Sequence, residues 1–386
     1  MRRPGPWHAW AVGEADAVRA AGRWRAPRSF DATAAGGTEG TVSADGVTHQ
    51  VVSFASNDYL GLTRHPAVVT AAHDAIDRWG TGSGAARLIV GSRPVHDELE
   101  HALAAWKRTE RAVLFSTGFA ANIGVLATFA GPDVLVVSDE LNHASLIDGR
   151  RLAGAPLAVY GHCDTAHVER LLLGTDARRA LVVTESVFSM DGDVAPVEEL
   201  AAVCARHGAL LVVDEAHAVL GPDPDFTDPA FAGLAVLRVG TLSKTLGSLG
   251  GFVAGPQVFT DLLVNLARPY IFTTASTPAD SAAALAAVGV LRSAEGDALR
   301  ARLRANIDRV RPGHPSPVLP YVCGSEARTL DVAAALLDEG ILVTAIRPPT
   351  VPPGTSRLRV AISAAHRDEQ LDHLEPRRRD HRPQRL

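Results

Sequence analysis

The chain has 386 residues, 46% of them apolar and 21% charged, with a formal charge of −5 and a pI near 6.3. This is the composition of an ordinary globular protein with room for two or three structural units, and its charge gives no general attraction to nucleic acid or an anionic membrane. No apolar run reaches the roughly 18 residues of a membrane helix, no export signal opens the chain, and three scattered cysteines, Cys163, Cys204 and Cys323, make neither a disulfide framework nor a thiolate metal site; a reducing cytoplasm is the expected location.

The first fifty residues, rich in Gly, Ala, Arg and Trp, predict a weak helix over 14–21 and a hairpin across 40–52. Residues 1–53 therefore read as an extension. From Val68 onward helices alternate with short apolar strands: a helix over 96–107, a strand over 112–115, a helix over 120–129, a strand over 134–137 and a helix over 145–152. Strand 180–184, helix 197–207 and strands 209–213 and 235–239 follow. Strands that are apolar throughout and separated by helices predict an α/β fold, a mainly parallel sheet covered on both faces. Residues 54–266 form this large domain. Beyond it the pattern changes to helices over 281–291, 298–310 and 330–339 with strands over 317–322, 340–345 and 357–362, a smaller α+β C-terminal domain over 267–375. The arginine-rich stretch 376–386 reads as a solvated, disordered tail.

The chain contains thirty-six arginines and two lysines. Arginine serves surface charge as well as lysine but does not lose its proton near neutral pH, so a retained lysine marks a position where an amine nucleophile is wanted. Lys244, in Gly240-Thr241-Leu242-Ser243-Lys244-Thr245, follows a strand and is the candidate Schiff-base lysine. Lys107 closes a helical pattern, where a cation suits the helix dipole, and reads as bland.

The strand 209–213 delivers Asp214, Glu215, Ala216 and His217 at its carboxyl end, where open α/β sheets bind ligands. An Asp-Glu-Ala-His string also occurs in helicase-type NTPases, but Ser243 stands where a phosphate loop needs glycine. A strand-end aspartate and a lysine thirty residues later meet the needs of pyridoxal phosphate: an amine for the aldehyde and a carboxylate for the ring nitrogen. Ser116-Thr117-Gly118-Phe119 supplies a helix start for the phosphate, and His143 lies where it can stack on a ring.

These motifs resemble the α-oxoamine synthase family of fold-type-I pyridoxal-phosphate enzymes. They arrive in family order over roughly 54–367: Ser56-Asn57-Asp58-Tyr59-Leu60-Gly61-Leu62, Gly82-Ser83-Gly84, Ser116-Thr117-Gly118-Phe119, Asn142-His143-Ala144-Ser145, Thr184-Glu185-Ser186-Val187-Phe188-Ser189-Met190-Asp191-Gly192, Asp214-Glu215-Ala216-His217 and Thr241-Leu242-Ser243-Lys244. The resemblance implies that Lys244 links to the cofactor and acts as base, Asp214 pairs with the ring nitrogen, His217 contacts the phenolic oxygen and His143 stacks. It implies that Gly118, Phe119 and Thr241 place the phosphate, that Ser189 holds the cofactor from its loop, and that Thr273 and Thr274 reach the phosphate from the partner chain of a homodimer. Arg359 is expected to grip the amino-acid carboxylate, with Asn57 also on the substrate side and Arg347 and Thr350 toward the acyl chain.

The stretch Ala345-Ile346-Arg347-Pro348-Pro349-Thr350-Val351-Pro352 has the form found in family members that condense L-alanine with a pimeloyl thioester, on CoA or acyl-carrier protein, in biotin biosynthesis. That reaction is the expectation. A sister enzyme using glycine or another acyl donor, and a non-catalytic cofactor-binding dimer, stand as alternatives. Where the family runs into a Gly-Arg-Gly loop, this chain has Gly221-Pro222-Asp223-Pro224-Asp225. His162, Cys163 and His167 lack acidic support in the sequence and read as incidental rather than metal ligands.

Overall fold

The computed structural model describes residues 5–33, 36–44 and 46–380, and of 375–380 the backbone. Two compact units emerge. One is Asn57–Pro317 with Ser363–Ala365; the other is Met1–Ser56 with Val318–Ile362 and His366–Leu386.

The larger unit is built on a seven-stranded sheet. Across it the strands run Arg111–Phe115, Gly251–Gly255, Ala235–Thr241, Leu210–Asp214, Arg179–Glu185, Val134–Asp139 and Leu157–Tyr160. Six point the same way and Gly251–Gly255 is antiparallel to both neighbours. The sheet is thus mainly parallel, as the apolar strands predict. Alternate side chains feed two cores. Val136, Leu181, Val183 and Val212 join one, with Val125 and Leu126 of helix Gly118–Phe129. Val137, Val182, Leu211 and Val213 join the other, with Leu200 and Cys204 of helix Val197–His207. Burial on both faces is why these strands carry no polar alternation.

Helix ends follow ordinary capping chemistry. The Thr117 hydroxyl accepts Ala120 N–H at the start of Gly118–Phe129, and the Thr277 hydroxyl accepts Asp280 N–H at the start of Pro278–Leu291. Helix Val197–His207 opens on Glu198 and Glu199, closes on Arg206 and His207, and ends at left-handed Gly208. The sequence pattern missed strand Gly251–Gly255, since a five-residue run bounded by glycines looks like a turn. It also missed edge strand Leu157–Tyr160, two of whose four residues are exposed.

In the smaller unit, Val318–Gly324, Ser356–Ala361 and Thr344–Ile346 form a three-stranded antiparallel sheet. The hairpin Glu39–Ala44 with Val47–Ser53 is extended by Ile341–Leu342, parallel to Val52 and Ser53. The single strand expected over 340–345 therefore splits at Val343 to serve two sheets. The N-terminal helix spans Pro6–Ala20 rather than 14–21, with no buried residue. Helix Asp368–Asp380 takes in residues 376–380 of the stretch read as a tail; 381–386 lie outside the described residues.

Candidate active site

Parallel strands bring their carboxyl ends to one edge of the sheet, and there five separate segments meet. Asp214 and Glu185 end their strands, Thr117 and Gly118 follow Arg111–Phe115, His143 follows Val134–Asp139, and Lys244 follows Ala235–Thr241. They line a cavity of about 260 Å³, with Phe119, Asn122, Ser145, His217, Thr241 and Ser243 completing the wall.

Asp214 is buried and held at both oxygens. Asn122 Nδ2 donates to Oδ2 at 2.7 Å and Ala216 N–H donates to Oδ1 at 2.9 Å. The same Asn122 amide donates to Ser145 Oγ at 2.9 Å, and Ser145 Oγ lies 2.8 Å from His143 Nδ1. Thus the carboxylate and the imidazole are fixed through one amide. His143 caps the helix Ala144–Ala153, and the Phe119 ring meets it edge-on with centroids 6.5 Å apart. Although the His143 surface opens on the cavity, the surrounding protein strips enough water to lower its pKa; Asp214 opposes the shift and Lys244 adds to it.

Lys244 Nζ lies 2.8 Å from His217 Nε2, and His217 Nδ1 lies 2.6 Å from the Tyr59 hydroxyl, which donates to Asn57 Oδ1 at 3.0 Å. Lys244, His217, Tyr59 and Asn57 thus form one continuous chain of polar contacts leading away from the cavity. Glu185 is buried on the cavity wall: Oε2 accepts Ser189 N–H at 3.1 Å, and among the described residues no well-formed hydrogen bond closes on Oε1. Burial, then Asp214, push its pKa up to about 8, against the pull of Lys244 and the backbone donors.

Lys244, His143, Asp214, His217, Gly118, Phe119 and Thr241 all line the one cavity. Ser189 is buried behind Glu185, to which it donates its backbone N–H. Asn57 meets the site through Tyr59. Thr273 and Thr274 line a separate small recess with Arg87, Phe115 and Ser116. Arg347, Thr350 and Arg359 belong to the smaller unit. There Arg347 is buried and donates to Gly22 O at 2.7 Å, and Arg359 is buried in strand Ser356–Ala361.

Asn122, Glu185, Ser145 and Tyr59 carry no sequence signal of the Lys244 kind. The available hint is a polar residue placed one turn into an apolar helix or at the end of an apolar strand. The reading of Lys107 as a bland helix-end cation is corrected: its side chain is 5% exposed and Nζ lies 2.8 Å from Glu215 Oε2. Arg238, 1% exposed, reaches Glu215 Oε1 at 2.6 Å and also pairs with Asp223. The Gly221–Asp225 loop that departs from the expected pattern is therefore tied to a buried arginine. Arg108 adds a second tie to Asp223 at 3.1 Å. Lys107, Arg108, Glu215 and Asp223 line a larger cavity of about 770 Å³ together with Trp106, Leu220 and Arg292; neither Lys244 nor Asp214 lines it.

Residues 49–375 match the model of aminotransferase class I and II. An 8-amino-7-oxononanoate synthase from Anaeromyxobacter dehalogenans is 51% identical over 341 residues, covering 83% of this chain and 84% of that protein. Among solved structures, a serine palmitoyltransferase variant from S. paucimobilis with PLP and myriocin bound superposes with a TM-score of 0.87 at 28% identity, covering 98% and 99% of the two chains. An 8-amino-7-oxononanoate synthase from Francisella tularensis gives 0.70 at 26% identity, covering 86% and 97%.

Proposed function

This chain belongs to the aminotransferase class I and II family, and from that premise we propose that it condenses L-alanine with a pimeloyl thioester of CoA or acyl-carrier protein. The products are 8-amino-7-oxononanoate, CO₂ and the free thiol, a step of biotin biosynthesis. Relatives 51% and 47% identical carry the name 8-amino-7-oxononanoate synthase, which supports this product; one observation carries the chemistry. Lys244 and an Asp214 carboxylate fixed at both oxygens face one cavity.

The residues present fit pyridoxal 5′-phosphate. An amine and a carboxylate line the same small cavity, and among the described residues no well-formed hydrogen bond closes on the buried Glu185 Oε1 in its wall. A Cβ added to Gly118 would stand 3.2 Å from Thr241 Cβ, so a side chain there would crowd the helix start beside Thr241. When bound, the cofactor links to amines through its aldehyde and draws electrons from the carbon next to the substrate nitrogen.

Asp214 would hold the ring nitrogen, and its two hydrogen bonds keep it aimed into the cavity. His143 would pack on the cofactor from the cavity wall. Gly118 and Phe119 offer backbone N–H groups at a helix start to the phosphate, with Thr241 beside them. Lys244 supplies the linking amine and then takes the α-proton of alanine and returns one to carbon, while His217 Nε2, 2.8 Å from Nζ, orients it. Arg359 grips the alanine carboxylate through its planar fork. Asn57 also serves the substrate side. Arg347 and Thr350 face the acyl chain, Ser189 steadies the cofactor loop, and Thr273 and Thr274 serve the phosphate of the partner in a cytoplasmic homodimer. Among the described residues no helix is long and apolar enough to cross a membrane.

The test is turnover and visible absorbance of the cofactor-loaded protein with L-alanine, glycine or L-serine, followed by pimeloyl-CoA or pimeloyl-ACP. Selective CO₂ release with L-alanine and a pimeloyl thioester is expected. Preference for glycine or serine would move the chain to a sister activity, and no response to any amino acid would leave a non-catalytic dimer.

A further inference from the structure

Of the half-buried histidines that the proposed reaction leaves unused, His162 alone is set between two carboxylates among the described residues. His162 lies in the turn after strand Leu157–Tyr160, with Nδ1 2.9 Å from Asp139 Oδ1 and Nε2 2.5 Å from Asp193 Oδ2. Asp139 ends the strand that leads to His143, its side chain fully buried, and it also accepts Leu141 N–H at 2.9 Å and Cys163 N–H at 3.0 Å. Asp193 closes the turn after Glu185: its carbonyl accepts Phe188 N–H at 3.0 Å, and Val187 bridges Val194. The Phe188 ring packs edge-on against His162 at 4.4 Å. His162 thus joins two turns that are far apart in sequence, one leading to His143 and one holding Ser189 against Glu185.

Asp139, His162 and Cys163 also gather potential metal ligands. Cys163 Sγ is 3.8 Å from Nδ1 and 3.7 Å from Nε2, so it lies along neither nitrogen's in-plane lone pair, and each nitrogen already points at a carboxylate. Burial, with Asp139 and Asp193, pushes the thiol up to about 12, away from the thiolate a metal would need. A charged imidazole fits instead. A neutral ring has one N–H, and its other nitrogen would set a lone pair against an acceptor-only carboxylate. The two carboxylates raise the His162 pKa above its ordinary value, overcoming the opposing effect of burial. The other polar groups facing this cluster are Glu140, which accepts His162 N–H at 2.9 Å, Tyr160 toward Asp139 and His314 toward Asp193.

We propose that His162, clamped as an imidazolium between Asp139 and Asp193, is a positioning residue that locks the His143-bearing turn to the turn behind Glu185. The proposal rests on the cavity being the active site.

Histidine ¹³C NMR of the full chain tests the charge directly, with the His162 signal assigned by its loss in His162→Gln. A midpoint above the ordinary 6.5 is expected, falling by at least about one unit in Asp193→Asn. A midpoint at or below 6.5, or one indifferent to Asp193→Asn, would overturn the proposal. The second arm is the pH profile of the loaded enzyme. Asp193→Asn is expected to move the alkaline fall of kcat to lower pH by the same shift, with KM for L-alanine within about twofold. A uniform loss of kcat at every pH, or a lowered melting temperature with an unmoved profile, would mean ordinary structural support and also overturn it. Absence of turnover by the unsubstituted protein would sink the substrate assignment alone, because the NMR midpoint and the pH dependence of the cofactor's visible band report on His162 without it.

Discussion

Lys107 Nζ lies 2.8 Å from Glu215 Oε2, both side chains 5% exposed or less, one residue beyond the carboxylate that faces Lys244 across the cavity. Arg238 holds the other oxygen of Glu215, and Glu215 N–H binds Val239 O at 2.7 Å. The strand end that aims Asp214 is therefore braced by buried charge as well as by the sheet.

Truncating a buried ion pair leaves the other charge stranded, at a cost of about 3–5 kcal/mol. Because Arg238 still neutralises Glu215, Lys107→Ala is expected near the lower end, about 3 kcal/mol, measured as a fall in the denaturant midpoint at unchanged slope. A loss below about 1 kcal/mol would show that the pair adds little.

Borohydride reduction of the loaded protein should leave the cofactor covalently attached to the peptide that contains Lys244. Lys244→Ala should carry no such attachment and lose turnover, yet still bind cofactor through Asp214 and the helix start at Gly118. Attachment at Lys107, or near-normal turnover without Lys244, would refute the assigned amine.

Asn122→Ala removes one of the two hydrogen bonds that aim Asp214 and frees Ser145 from its amide. A hydrogen bond to a charged group contributes about 1.5–3 kcal/mol, so cofactor affinity should fall roughly 10- to 100-fold in a fluorescence titration. Unchanged affinity would mean that Ala216 N–H alone suffices.

Glu185 has a pKa raised from 4.5 to about 8. In that window the folded cofactor-free protein holds a proton that the unfolded chain releases, so the contribution to stability is full below 4.5 and is lost as pH rises through 8, with a slope of up to about 1.4 kcal/mol per unit. Glu185→Gln should flatten this dependence and be the more stable form at pH 8. Parallel midpoint-versus-pH curves for the two proteins between pH 5 and 8 would contradict the shift.

A Cβ on Gly251 would stand 2.4 Å from Thr117 O and 2.5 Å from Gly118 N, both backbone atoms. Gly251→Ala must push the helix start that receives the phosphate, and overpacking of this kind costs about 1–3 kcal/mol. A weaker cofactor complex, by roughly tenfold or more, is expected by titration. Wild-type affinity would show that the turn adapts.

Lys244, Asp214 and His143 were legible in the chain because each is marked locally: a rare lysine, and acids or a histidine just past an apolar strand. The alternation of apolar strands and helices likewise determined a mainly parallel sheet, since burial on both faces leaves its mark on every residue of a strand. What surrounds those groups was not legible. Lys107 looked like a helix-end cation until Glu215 proved to sit against it, and His162 looked incidental because its two carboxylates lie 23 and 31 residues away. Glu185 acquires its raised pKa only through burial beside Asp214. Periodicity reports the face a residue turns to its own element; the partner it meets is decided when distant strand ends converge, and that convergence exists only in the folded chain.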